Sequence, residues 1–154
     1  GQIAIFNRSH YEDIIAVRVK KIFPDPVWKR RYKHVLDFES MLAEEGTVII
    51  KLFLNISKAE QKKRLESRLQ DPDKLWKFCM DDLDDRNRWD EFQTAYQDLI
   101  EKTSTPEAPW YIIPADRKWY RNLVVARLMV EKLRHLQLSL PTPNFDPASI
   151  IIPD

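Results

Sequence analysis

Glycine is nearly absent from this chain, whose 154 residues include only Gly1 and Gly46. A phosphate-gripping loop of the form GxxxxGK followed by Ser or Thr needs two glycines five positions apart, so the chain holds no such loop. One cysteine, Cys79, excludes an internal disulfide and a cysteine-rich zinc site, and suits a reducing, cytoplasmic setting. Charge of one sign is not in excess either. Twenty-five Lys and Arg stand against 24 Asp and Glu, a net of +1, which gives no bulk attraction to nucleic acid or to a membrane. Any anion site has to come from local placement. No apolar run approaches the roughly 20 residues of a membrane-spanning helix, and the start shows no signal-peptide pattern. The length suits one domain with a real core.

What is present begins with residues 3–13, IAIFNRSHYED. Ile3, Ala4, Ile5 and Phe6 read as a buried parallel strand, since such a strand shows a continuous apolar run rather than alternation. Asn7, Arg8, Ser9, His10, Tyr11, Glu12 and Asp13 then emerge where an open α/β sheet places its ligands, beyond the carboxyl ends of its strands. Ile14 to Val19 should form a short helix that ends by Pro24. Asp25 and Pro26 read as an N-cap and first helical residue, and Trp28, Tyr32, Val35, Leu36 and Leu42 keep helical period as far as about Glu44. Lys29, Arg30, Arg31 and Lys33 crowd the other face, which is either simply solvated or attracts a polyanion.

Gly46 should stop that helix, and residues 47–54, TVIIKLFL, read as a second strand. Lys51 interrupts it, either snorkelling at an edge or facing the phosphate crevice. Ser57 and Glu60 form a capping box that opens a helix from about Lys58 to Leu69. Arg64 and Arg68 lie one turn apart on it, so their guanidinium groups can reach one target, although pairing of Arg64 with Glu60 on the surface explains them equally well. Lys74, Trp76 and Lys77 follow. Residues 80–85 read as an acidic connector whose aspartates serve as helix caps, without the glycine and final glutamate of a calcium loop. Trp89, Phe92, Tyr96, Leu99 and Ile100 mark another helix. Trp110 to Ile113 make a third strand, and a last helix capped by Asp116 runs to about Gln137. Pro141, Pro143, Pro147 and Pro153 keep the tail from becoming helical. His10, His34 and His135 have no metal-binding spacing.

Strand, helix, strand, helical hairpin, strand, helix is the order of a parallel α/β sheet flanked by helices. Three strands are too few to complete one. Both this shortage and the missing glycine-rich loop would be repaired by an upstream strand-and-helix segment, so residues are expected to precede Gly1.

FNRSHYED from Phe6, DFESML from Asp37, GTVIIKLFLNISKAEQKKRLESRLQDPDKLWKF from Gly46, RNRWDEFQTAY from Arg86 and TSTPEAPWYIIPADRKWYRN from Thr103 form an ordered set. As a set they resemble the polyphosphate kinase 2 family over residues 1–140. The resemblance implies a P-loop kinase-like α/β fold, incomplete at its N-terminus. Residues 1–140 would be the C-terminal part of that domain, with a helical lid at about residues 58–102 and an extended tail at 141–154. It also implies Mg²⁺-dependent phosphoryl transfer between inorganic polyphosphate and nucleotides. The partners it implies are the N-terminal half of the same protein and further copies in a homo-oligomer; a membrane is not expected, and nucleic acid binding, resting only on the basic helix near Lys29 and on the Trp and Tyr residues, is the weakest reading.

The family's Walker B position falls on Asn7, where many members have Asp, and nearby Glu12 or Asp13 would then supply the charge for the metal, with Glu12 taken as the ligand beside Asn7. The Asn7 and Glu12 combination resembles the subgroup that takes nucleoside monophosphates as well as diphosphates. Arg8 and Arg68 match family arginines at the phosphates, with Arg64, Lys74, Lys77, Arg117 and Lys118 as further polyphosphate or nucleotide contacts, although structural pairing with Asp116 explains Arg117 and Lys118 equally well. Phosphoryl transfer spreads charge over equatorial oxygens, so the protein's work is positioning and cationic stabilisation, to which arginine is suited. A noncatalytic fragment that only holds polyanions is the alternative.

Overall fold

The computed structural model describes residues 1–153 and has six α-helices and two strands among them. In chain order these are α1 (Glu12–Val19), α2 (Asp25–Glu44), β1 (Lys51–Asn55), α3 (Lys58–Gln70), α4 (Asp81–Asn87), α5 (Trp89–Thr103), β2 (Trp110–Pro114) and α6 (Lys118–His135), with short 3-10 helices at Pro72–Lys77 and Pro147–Ser149. The strands pair in parallel, with Lys51 opposite Trp110 and Asn55 opposite Pro114. The α/β class and the parallel sense agree with the pattern of the sequence.

The core lies where α1, α2 and α5 meet. Ile14, Ile15, Val17 and Val19 of α1, Trp28, Tyr32 and Val35 of α2, and Ala95 and Leu99 of α5 form one buried cluster. Its logic is the helical period, which stacks Trp28, Tyr32 and Val35 on one face of α2. Gly46 ends α2 as expected, at φ +82°. The Gly46 N–H donates to Ala43 O at 3.0 Å and the Thr47 N–H to Leu42 O at 2.9 Å, the two bonds of a Schellman cap. A Cβ at Gly46 would meet nothing within 4 Å, so the cost of one is conformational. Gly46→Ala is expected to lose about 1 kcal/mol, read as a shifted urea midpoint at unchanged slope.

Several sequence expectations change. Ile3, Ala4, Ile5 and Phe6 form no strand, and Ile5 is 82% exposed. A parallel strand exists only beside a neighbour that takes its backbone hydrogen bonds, and among the described residues β1 and β2 pair with each other alone. The sheet therefore has two strands, not three, and the second is shorter than residues 47–54. Pro24, not Asp25, holds the N-cap place of α2, and the Asp25 carboxylate instead accepts from Trp28 Nε1 at 3.2 Å and Lys29 Nζ at 2.7 Å. The acidic residues at 81–85 are not a connector but the first turns of α4, where their charge suits the positive end of the helix.

The stretch expected as a lid divides in two. Between residues 58 and 87 the one buried side chain is Leu65, whereas α5 buries Ala95, Leu99 and Thr103 and packs on both α1 and α2.

Candidate functional site

The carboxyl ends of β1 and β2 are knitted together before either chain leaves the sheet. The Ala115 N–H donates to Asn55 O at 2.8 Å, and the Ser57 N–H to Asp116 Oδ1 at 2.7 Å. Ser57 also caps α3, its hydroxyl accepting from the Glu60 N–H at 3.0 Å, which is one half of the expected capping box; the other half is not made, because the Ser57 N–H goes to Asp116 and the Glu60 carboxylate to Arg64. Asp116 thus serves α3 and not α6, whose N-cap place is Arg117 with no side-chain cap. This corrects the expected cap: the orphan N–H of Ser57 lies across the sheet edge and captures the carboxylate first.

That backbone donation, followed by the Ser57 side chain and the charge of Arg64, holds the Asp116 carboxyl below its usual 3.8. A depressed folded-state value means that its contribution to stability is present above about 3.8 and is lost as pH falls through the lower folded value. Asp116→Asn is therefore expected to lower the thermal midpoint between pH 5 and 7, and the gap from the parent should close below pH 3.8.

Arg64 is the second tie at this edge. Its Nε donates to Glu60 at 2.7 Å, and its Nη2 to the Ala115 carbonyl at 2.8 Å and the Asp116 carbonyl at 3.3 Å. Arg86 adds a third, its Nη1 donating to Lys58 O at 2.7 Å and Gln61 Oε1 at 2.9 Å. Arg68, one turn beyond Arg64, is held more loosely. It meets Asp82 at 3.3 Å and the Lys77 carbonyl at 3.4 Å, with both charged side chains 37% exposed.

Lys74 pairs with Asp71, and the Lys77 ammonium lies 5.0 Å from the centre of the Trp76 ring. Arg117 and Lys118 are exposed at the start of α6, on the same edge of the sheet.

Arg8 and Glu12 stand at the start of α1, 3.5 Å apart and largely in solvent. Arg8 has φ +74°, a left-handed backbone that costs a non-glycine residue about 1 kcal/mol or more and is retained where surrounding contacts dictate it. A cavity of about 270 Å³ opens at the end of β1, lined by Phe53, Asn55, Gln61, Asp85, Trp89 and Tyr96 among others. Burial, then the charges of Glu12 and Asp85, push the Tyr96 hydroxyl up, while Arg8 opposes them. The start of α1 is thus electrostatically coupled to the wall of this cavity.

Glu12 and Arg8 are therefore brought together, and Arg64 is joined to the sheet edge. Neither Asn7 nor Arg68 lines the cavity. No group of three His, Cys, Asp or Glu side chains among the described residues could hold a metal ion. The Asn7 amide and Glu12 carboxylate are nonetheless hard oxygen donors. They suit a cation that takes one or two protein ligands and draws the others from water and phosphate.

The sequence pattern that defines the family described as Polyphosphate kinase 2 (PPK2) matches residues 1–140. The chain belongs to the polyphosphate kinase 2 family. It is 53% identical over 152 residues to the AMP/ADP-polyphosphate phosphotransferase of Meiothermus ruber, a match covering 99% of this chain and 57% of that protein. The ADP-polyphosphate phosphotransferase of Rhodopseudomonas palustris is 37% identical over 92% of this chain and 53% of its own length. The crystal structure of polyphosphate kinase 2 from Arthrobacter aurescens TC1 superposes with a TM-score of 0.89 at 48% identity, over 94% of this chain and 51% of that one. This PPK2 chain thus spans about half the length of the relatives it matches.

Sequence reasoning missed what surrounds Lys51. Lys51 neither snorkels nor faces the crevice; it is buried against Glu39 at 2.7 Å. Glu39 follows Trp28, Tyr32 and Val35 at spacings of four, three and four residues, so it falls on the buried face of α2. A carboxylate in that register and a lysine inside an apolar strand are the two signals that would have joined them.

Proposed function

We propose that this PPK2 chain carries part of the site for Mg²⁺-dependent phosphoryl transfer between inorganic polyphosphate and nucleoside mono- and diphosphates, adenine and guanine nucleotides alike. The observation that carries the reading is the carboxyl edge of the sheet, where α3 and α6 begin and where Arg64, Arg117 and Lys118 lie, with Arg68 further along α3; Arg8 joins them through the charge it places on Tyr96, in the wall of the cavity at the end of β1. The activities for which the Meiothermus and Rhodopseudomonas relatives are named support the same class of reaction.

In the proposed reaction a terminal P–O bond of polyphosphate breaks. A new one forms to the terminal phosphate oxygen of the nucleotide, so that polyphosphate shortens by one unit as ADP becomes ATP or AMP becomes ADP. Arg8 and Arg68 grip equatorial oxygens, bidentate contact being what a guanidinium offers and an ammonium does not. Lys74, Lys77, Arg117 and Lys118 extend the cationic path for a long polyanion. Asn7 and Glu12 would hold Mg²⁺, which when bound neutralises charge on the phosphates.

The part of the lid that moves is residues 58–87, because closing it disturbs one buried side chain rather than the α1, α2 and α5 core. The glycine-rich loop is assigned to the family's remaining length. The exposed apolar side chains of Trp119, Leu123 and Val130 on α6 support contact with that length or with further copies. No described helix is long and apolar enough to cross a membrane, and the single exposed Cys79 suits a cytoplasmic setting.

The test supplies polyphosphate and MgCl₂ with AMP, ADP, GMP or GDP, and separates nucleotide products by chromatography. The chain is assayed as it stands and after mixing with the part of the Meiothermus ruber protein that it does not match. Product in the mixture supports the reading. Polyphosphate binding without turnover in both leaves a noncatalytic polyanion binder, a reading favoured by the missing GxxxxGK loop.

A further inference from the structure

The most buried charges among the described residues, Lys51 and Glu39, take no part in the candidate site. The Lys51 ammonium, at the start of β1, donates to three acceptors: Glu39 Oε2 at 2.7 Å, the Thr103 carbonyl at 2.6 Å and the Tyr11 hydroxyl at 3.1 Å. Three donors meet three acceptors, so the group is fully satisfied. The Tyr11 hydroxyl in turn donates a hydrogen bond to Glu39 Oε1 at 2.5 Å, closing a ring of contacts among β1, α2 and the residue that begins α1. Thr103 is held in turn. Its hydroxyl donates to Leu99 O at 2.6 Å and accepts from Trp110 Nε1 at 2.8 Å.

Aromatic contacts enclose this ring. Trp110 packs edge-on against Tyr11 with centroids 4.9 Å apart, and His10 stacks on the other side at 4.6 Å, its Nε2 lying 3.7 Å from Glu39 Oε1.

Tyr11 is where this network meets the exposed turn. Its N–H reaches Ser9 Oγ at 3.4 Å, and the Glu12 N–H donates to Ser9 O at 3.0 Å. On either side stand Arg8, in its left-handed backbone, and Glu12, both largely in solvent. Contacts made by the Arg8 side chain do not hold that conformation, since its one close partner is Glu12. The nearest buried anchor is the Tyr11 hydroxyl.

We propose that Lys51 and Glu39 form an internal clamp on Tyr11 that positions Arg8 and Glu12 for phosphate and cation binding, which makes Lys51 a positioning residue of the phosphoryl-transfer site. The proposal rests on the phosphotransferase reading for its effect on turnover, but not for the clamping itself. Lowering of activity by mere unfolding is a separate matter, because Tyr11→Phe removes one hydroxyl while Lys51 and Glu39 keep each other.

Two variants and two readouts test it, in the same mixture used for the activity assay. Tyr11→Phe should keep its thermal midpoint within a few degrees of the parent, yet lose about tenfold to a hundredfold in kcat, the scale of a small misplacement of catalytic groups. Lys51→Met combined with Glu39→Leu removes both charges together and takes away the acceptor of the Tyr11 hydroxyl, so it should fold and show the same loss. Hydrogen exchange read by mass spectrometry should show faster exchange at residues 8–13 in both, with α2 and α5 unchanged.

Parental kcat in either folded variant would overturn the proposal, as would parental exchange at residues 8–13. If the parent itself turns over no nucleotide, the phosphotransferase reading fails, and the exchange data still decide whether the clamp exists.

Discussion

Glu39→Ala is expected to destabilise the protein by about 3–5 kcal/mol, the cost of leaving a buried charge without its partner. Both members of the pair are about 95% hidden from solvent, with side-chain exposures of 4% for Lys51 and 5% for Glu39. Once the carboxylate is gone, the ammonium keeps only the Thr103 carbonyl and the Tyr11 hydroxyl, neither of which carries charge. The hydroxyl would suffer too. Burial, then its bond to Glu39, drives the Tyr11 hydroxyl far above the range of free tyrosine, so it is a neutral donor that has lost its acceptor. Urea unfolding of Glu39→Ala and Glu39→Gln measures the effect. Glutamine, which keeps an acceptor oxygen, should lose less than alanine. A loss below about 1 kcal/mol for alanine would show that water reaches the site and that the pair is not a core element.

Arg68→Lys is expected to lose most of the turnover, at least about tenfold, with little change in stability. Energetics at rest support both halves of that statement. Asp82 and Arg68 are each about one-third exposed, and pairs of that kind contribute roughly 0–1 kcal/mol, so the guanidinium can leave its resting partner cheaply. Lysine reaches almost as far but presents a point charge in place of a planar fork, and the loss should therefore fall on kcat more than on folding. Arg64→Lys offers the contrast. Arg64 is bound to Glu60 and to two carbonyls, so its replacement should lower the thermal midpoint as well as activity. Near-normal turnover in Arg68→Lys, measured in the assay described above, would remove Arg68 from the site.

Much of the scaffold was legible because its signals are local. Ser57 and Glu60 marked the start of α3, Gly46 marked the end of α2, and the spacing of Trp28, Tyr32 and Val35 marked the buried face. The errors arose wherever a residue's role depends on a partner far along the chain. An apolar run such as residues 3–6 reports a wish to be buried but not which strand would pair with it. Asp116 looked like a cap for the helix that follows it, and its actual acceptance from Ser57 spans 59 positions. Lys51 was conspicuous as a charge inside a strand, but Glu39 was hidden in a helix whose other charges are solvated. At the candidate site, the resemblance supplied Asn7, Arg8, Glu12 and Arg68, whereas Asp82 and Arg86, which govern how α3 and α4 lie together, carried no mark of their own.

The three ties gathered around Ser57 have a mechanical consequence. They make the start of α3 a fulcrum, and Arg68 lies about 16 Å along the helix from it at 1.5 Å per residue. A swing of about 20° around that point carries the guanidinium roughly 6 Å and Arg64 about 4 Å, enough to break the bonds from Arg64 to the Ala115 and Asp116 carbonyls, so those bonds oppose the swing. The exposed Trp76, in the 3-10 turn after α3, would be carried with it. Fluorescence of a variant retaining Trp76 as its single tryptophan would follow the stroke when polyphosphate is added.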